Sequence, residues 1–320
     1  MSRTRCLVAL VCGLFAVLVV APVAGAAIVS RTMDYGPWTI PAGDGDPHDH
    51  MSMGHIENDI DFGVSKPCTN CDIIAVEPEL VYRGGEEANL NTGPMLHHTM
   101  FAARGSGSDL TCPSEGAGLL GRRFFASGNE RTPIDLSELD YGYHVGSSDT
   151  WNMVTELTNW ETTRKTVYVR VRWTYATAED ASSREDLTPV WLDADGCSFD
   201  SLIEVPTGFS DTHRDIESPV SGDVIAAAGH IHDHGVRVDL TNESNSSELI
   251  CESVAGYSNT GGYETPDGRS HVADMGTCIE DPVETIARGD ELRLHTIYEV
   301  PMGHHEIDHA MGIMIVFVDQ

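Results

Sequence analysis

Lysine is almost missing from this 320-residue chain, with Lys66 and Lys165 the only two. Nineteen Lys and Arg together face 50 Asp and Glu, giving a formal net charge of −31 at pH 7. Gripping a phosphate backbone needs clustered cations, so nucleic acid is excluded as a partner. An acidic surface of this kind keeps a protein soluble and gathers cations. Long amphipathic helical periods are absent too, which points away from helical and α/β classes. Beyond residue 26 no apolar run approaches membrane length, so no stable membrane insertion is expected there. No second CxxC accompanies Cys68 and Cys71, and these two are read as disulfide partners, not as a zinc or redox pair.

The first residues have the layout of an export signal. Arg3 and Arg5 precede an apolar run from Cys6 to Val20, and Ala24-Gly25-Ala26 has the A-x-A form of a cleavage site. The layout predicts a signal peptide over residues 1–26 and a secreted, extracellular chain starting near Ala27. Loss of Arg3 and Arg5 would take the charge from −31 to −33. An oxidising compartment favours disulfides. Cys6 and Cys12 leave with the signal, and Cys68, Cys71, Cys112, Cys197, Cys251 and Cys278 suit three bridges. Cys251 with Cys278 is the preferred local pair, although spacing does not choose among the connectivities.

Residues 27–66 are rich in Gly, Pro, Asp, His and Met, include "DPHDHMSMGH", and show no sustained period, which reads as an N-terminal arm. From residue 67 short β-type runs follow, separated by turn chemistry: "DIIAVEPELVY", "MLHHTMFAA", "WNMVTEL", "KTVYVRVRWTY", "DVIAAAGHIHDHGVRVDL", "DELRLHTIYEV" and "MGIMIVFV". The expectation is an all-β chain of two tandem antiparallel β-sandwich, jelly-roll-like domains, 67–194 and 195–320. The polar stretch Thr177 to Asp186 reads as a hairpin or linker, with the next strong strand near Val220.

Three histidine-bearing stretches carry the chemistry. In "AAAGHIHDHGVRVDL", His230, His232 and His234 fall at every second position, which on a strand places three imidazoles on one face. Neutral imidazole is the commonest metal ligand. In "MLHHTMF", His97 and His98 are adjacent and would point to opposite faces unless a bulge turns both to one ion. The C-terminal "MGHHEIDHAMGIMIVFVDQ" offers His304, His305, His309, Met311 and Met314. Thioether sulfur suits copper(I), although Met311 and Met314 also read as core residues of a last strand.

An HH pair, then HxH, then a Met on a terminal strand resembles the order in the ascorbate-dependent type II copper monooxygenases, the family of peptidylglycine α-hydroxylating and dopamine β-monooxygenases. A closer likeness is to the stress up-regulated Nod 19 proteins and their bacterial relatives, through "KPCTNCDIIAVEPELVY", "LHHTMF", "RRFFASGNERT", "GYHVG", "GHIHDHG" and "MGIM". The monooxygenase resemblance implies two coppers across an open cleft. His97 and His98 would bind the first, and His230, His232 and Met311 the second, where oxygen would be activated for C–H oxidation. It also implies a small-molecule or peptide substrate and an external reductant. The sequence departs from that pattern where a third histidine is expected, with Thr158 and Asn159 in the region and His144 at a non-ligand position. Ala228 and Ile315 replace an Arg and a Tyr of the peptide-amidating members, which speaks against peptide amidation. Two alternatives stand beside this reading. One is a non-enzymatic copper-binding, storage or scavenging protein, favoured by "HDHMSMGH". The other is a zinc hydrolase built on His230, His232 and His234 or Asp233.

Overall fold

The computed structural model describes residues 27–46, 52–177, 183–257, 271–302 and 307–320. The expected signal over 1–26, His48, His50 and Met51 of the expected arm, and His304 and His305 lie outside the described residues. In chain order the first strands are β1 (Ile28–Ile40), β2 (Gly54–Val64), β3 (Cys71–Tyr82), β4 (Pro94–Arg104) and β5 (Arg122–Gly128). Then come β6 (Ile134–Asp135), β7 (Tyr141–Val145), β8 (Thr150–Asn159), β9 (Lys165–Ala176) and β10 (Glu185–Asp193). The later strands are β11 (Ile203–Val205), β12 (Gly208–Glu217), β13 (Gly222–Ile231), β14 (Gly235–Asn242) and β15 (Glu248–Gly256). Last are β16 (Asp274–Met275), β17 (Thr277–Ile286), β18 (Glu291–Val300), β19 (Ile307–Ala310) and β20 (Gly312–Asp319). Short 3-10 segments are the only helical elements among the described residues, so the protein is all-β. No helix among them is long and apolar enough to cross a membrane.

One long sheet runs through both halves in the order β1-β9-β3-β7-β10-β20-β13-β17, with β6 beside β3. A four-stranded sheet, β2-β8-β4-β5, packs on its N-terminal part, and a five-stranded sheet, β12-β18-β14-β15-β16, on its C-terminal part. The halves meet in a short parallel pairing, where Glu185 and Asp186 of β10 lie beside Tyr141 and Gly142 of β7. β10 then pairs along its length with β20, from Leu187 opposite Asp319 to Asp193 opposite Ile313. A division at residue 195 therefore follows a strand whose partner is the last strand of the chain.

The period of two explains how the halves join. On β20, Ile313, Ile315 and Phe317 belong to the larger core, which also holds Phe101, Trp151 and Trp173. Their neighbours Met314, Val316 and Val318 belong to the second core, with Val238, Leu240 and Leu294. A strand buried on both faces reads as an unbroken apolar run, and "GIMIVFV" is one. Trp191 and Ala226 extend the first core onto β10 and β13.

The stretch 27–66 is not an arm. β1 pairs with β9 and β2 with β8, so it supplies an edge strand to each sheet of the first half. Edge strands leave much of their length to solvent, and a register shift between Tyr35 and Trp38 interrupts the alternation, so the period was invisible. β12 likewise lies well before Val220, where the next strand was expected. It too is an edge, and most of its residues are exposed. The six cysteines form Cys68–Cys71, Cys112–Cys197 and Cys251–Cys278, including the expected local pair.

Candidate metal centre

His97 and His98 lie on β4, and the pairing with β8 slips between Leu96, opposite Leu157, and His98, opposite Glu156. The bulge leaves two residues of β4 against one of β8 and turns both imidazoles toward the same side. Their ring centroids are 5.2 Å apart. Both reach one carboxylate, His97 Nδ1 at 3.1 Å from Glu156 Oε1 and His98 Nε2 at 3.4 Å from Oε2.

His230 sits near the end of β13, opposite Ile313 of β20 and hence on the face that continues the first core. His232 follows one residue past the strand, with its ring 5.2 Å from that of His230. His234 does not continue the row. The chain turns at 232–235, Gly235 N–H donating to the His232 carbonyl, and His234 has a φ of 70°. The three-imidazole face expected from the HxHxH spacing is thus a pair, because the strand ends at Ile231.

The two pairs converge. His97 and His232 are 4.6 Å apart between ring centroids, and His97, His98 and His232 offer ligand atoms that all lie within 4.8 Å of one another. Two centres across an open cleft, as the monooxygenase resemblance implies, would keep the pairs apart; here they form one cluster. Met311 is buried and, with His98 and His230, lines a cleft enclosing about 510 Å³ of space, part of it open to solvent.

Hydrogen bonds fix the orientation of the rings. His230 Nδ1 donates to Glu130 Oε1 at 3.0 Å, and His232 Nδ1 donates to the His309 carbonyl at 2.6 Å. In both, Nε2 is left as the lone-pair nitrogen, the arrangement in which an outer partner orients a metal-ligating imidazole. Nε2 of His230, Nε2 of His232 and Nδ1 of His98 are buried and have no hydrogen-bond partner among the described residues. Leaving such atoms unsatisfied costs roughly 1–3 kcal/mol each. Imidazole nitrogens beside a thioether suit either copper oxidation state, so the donor set fits a metal ion.

Tyr298 ties the halves of the site together. Its buried hydroxyl accepts from His232 N–H and Met311 N–H, both at 3.1 Å, and donates to the Met311 carbonyl at 2.7 Å. Gly128 is required for close approach. A Cβ there would lie 2.6 Å from His230 Cε1 and from Glu130 Oε2, and 2.9 Å from the His97 carbonyl oxygen.

The electrostatics favour the neutral form of His98 and His232. Burial, reinforced by the neighbouring His97, pushes His98 down to about 3. Burial and the charges of His97 and His230 take His232 well below the usual histidine range. His230 goes the other way, because the Glu130 carboxylate outweighs the penalty of burial. For Glu156 burial opposes the charge, yet the His97 hydrogen bond and the charges of His97, His98 and His55 hold it at about 2.

Sequence reasoning missed Glu130, Glu156 and Tyr298. A lone carboxylate inside the otherwise uncharged "WNMVTELTN" is a signal that could have found Glu156; Glu130, in a Gly-Asn turn, carried none. Asn159 is not at the centre, since its amide donates to the carbonyls of Pro41, Glu161 and Thr163. His144 pairs with Asp72 on β3. Asp233 accepts from His271 Nδ1 and from Val272 N–H, which pins a loop.

A probable copper-dependent oxygenase of Phoma sp. is 28% identical over 301 residues, covering 90% of this chain and 72% of its own. Another, of Cochliobolus lunatus, is 28% identical over 253 residues, covering 75% of this chain and 76% of its own. The solved structure of the STIV MCP aligns over 91% of this chain at 9% identity with a TM-score of 0.30, too low to bear on the fold. The profile of the family described as stress up-regulated Nod 19 matches residues 160–320, just over half of the chain. The chain is therefore a member of the stress up-regulated Nod 19 family.

Proposed function

We propose that the protein is an exported, copper-dependent oxygenase whose histidines form a single centre. His97, His98 and His232 are the converging ligands, His230 is the fourth imidazole, and Met311 supplies the soft donor on the cleft side. The observation that carries this reading is the set of buried imidazole nitrogens without partners on rings whose other nitrogens are held by Glu130, Glu156 and the His309 carbonyl. Copper bound there would supply one-electron redox cycling and activation of oxygen toward a substrate C–H bond.

The chain's own residues do the rest. Glu156 stays ionised and holds the HH pair on one side of the bulge; Glu130 orients His230; Tyr298 fixes His232 relative to Met311. The cleft is lined by Met100, Val154, Trp191, Phe199 and Ile313 around His98 and His230. Its walls are mostly apolar, which supports an apolar small-molecule substrate over a peptide. The three disulfides support export. In this reading the halves are β-sandwiches sharing one sheet, not independent domains.

Copper stoichiometry tests the single centre. The His97→Ala, His98→Ala double variant and the His232→Ala variant should each lose the same copper equivalent, and Met311→Leu should weaken Cu(I) selectively. Oxygen uptake with a reductant should fall in parallel. Two coppers lost independently by the two sets of variants would restore separate centres. Stoichiometric zinc in protein purified without added metal would move the reading to a hydrolase, and copper binding without oxygen uptake would move it to a storage protein.

A further inference from the structure

The outer face of the five-stranded sheet carries another group of ligating side chains. β12 and β18 are antiparallel neighbours, and their register sets His213 directly opposite His295. Side chains alternate along a strand, so Asp211, two residues before His213, shares the outward face. The two imidazole centroids are 5.7 Å apart, and Asp211 Oδ1 lies 3.0 Å from His295 Nδ1. One ligand atom from each of the three residues lies within 4.8 Å of the other two. The same register continues the row inward, with Asp239 of β14 opposite His295 and Glu252 of β15 opposite Asp239. Oδ1 of Asp239 is buried and has no hydrogen-bond partner among the described residues, while its Oδ2 accepts from Arg237 Nε at 2.7 Å.

We propose that Asp211, His213 and His295 form a surface site for a divalent transition-metal ion, Zn(II) or Cu(II), which clips the edge strand β12 to β18. Two imidazoles with one carboxylate are a donor set that suits these ions, and an exposed position leaves room for water in the remaining coordination places. A chain with a net charge of −31 raises the local concentration of cations at such a site. Among the described residues β12 has β18 as its only neighbour in the sheet, so a bridging ion adds a link where the hydrogen-bond ladder ends. The site shares no residue with the buried cluster, and it stands whether or not that cluster binds copper.

The test uses the full chain stripped of metal and titrated with Zn(II) alone, followed by calorimetry and thermal unfolding. His213→Ala and His295→Ala should each lose one equivalent and the Zn-induced rise in unfolding temperature that goes with it, while the rest of the isotherm is unchanged. Asp215→Asn removes a neighbouring acid and should keep the equivalent. All three positions are exposed or half-buried, so the variants fold. An isotherm unaffected by His213→Ala overturns the proposal, and so does an equal loss in Asp215→Asn, which would reveal diffuse attraction to acidic side chains. Failure of the buried centre shows separately, as the absence of an equivalent dependent on His97, His98 and His232.

Discussion

Two regions of this protein use the same side chains under opposite conditions. Where the four-stranded sheet meets β13 and β20, histidines, carboxylates and an Arg–Asp pair are buried; on the outer face of the five-stranded sheet, a matching set is exposed. The Arg pairs make the comparison sharp because their geometries nearly coincide. Arg123 reaches Asp109 at 2.8 and 3.0 Å with both side chains 2% exposed. Arg293 reaches Asp215 at 2.6 and 3.0 Å with side chains 27% and 42% exposed. Burial, and not contact distance, decides what each pair is worth.

Breaking the two pairs should separate the regions most strongly. Asp109→Asn leaves the Arg123 charge buried against Trp191 and should cost roughly 3–5 kcal/mol. Asp215→Asn should cost about 0–1 kcal/mol. Urea unfolding of both variants checks the difference, and equal costs would mean that burial does not govern these pairs. The acid limb adds a second reading. Burial opposes the Asp109 charge, but the hydrogen bonds and charge of Arg123 outweigh it and hold the carboxyl below the ordinary aspartate value of 3.8. A depressed native pKa contributes stability above the unfolded value that is lost as pH falls through the native one. The gap between wild type and Asp109→Asn should therefore be full above pH 3.8 and narrow below it.

Tyr298→Phe should have the next largest effect, and it acts on the site as well as on stability. The hydroxyl is the partner of His232 N–H, Met311 N–H and the Met311 carbonyl, all in a buried setting. Its removal should cost about 1–3 kcal/mol per group left unpaired, less than additively where the backbone relaxes. Copper bound through His232 should weaken, while the Zn(II) equivalent that depends on His213 stays. A variant with native unfolding free energy and native copper affinity would show that Tyr298 does not position the site.

How much of this was legible follows the same division between buried and exposed. The central strands β3, β4, β8, β9, β13, β18 and β20 stood out because buried faces impose apolar periodicity. The edges β1, β2 and β12 did not, because solvent imposes none. His97, His98, His230, His232 and Met311 were visible as residue types at ligand spacing, and the bulge that joins His97 to His98 was anticipated as a condition. The meeting of the HH pair with the HxH pair was not legible. It depends on β10 leaving the first half to pair with β20, a long-range register that no local pattern encodes. The Asp211, His213 and His295 group was hidden for the same reason, since β12 gave no strand signal to place opposite β18.

Salt gives the smallest expected effect and the finest test of the comparison. Charges in contact with water are screened over a Debye length that falls to about 3 Å near 1 M ionic strength, whereas buried pairs are screened much less. Raising salt should therefore erase the small destabilisation caused by Asp215→Asn. The cost of Asp109→Asn should persist, because its origin is an Arg123 charge that has lost its bidentate carboxylate in a place that mobile ions do not reach. Denaturation of wild type and both variants at low and high sodium chloride measures this directly. If the Asp109→Asn cost shrinks with salt in the same proportion as that of Asp215→Asn, water and ions reach Arg123. The cleft beside His98 and His230, which Arg123 also lines, would then be wetter than its apolar walls imply.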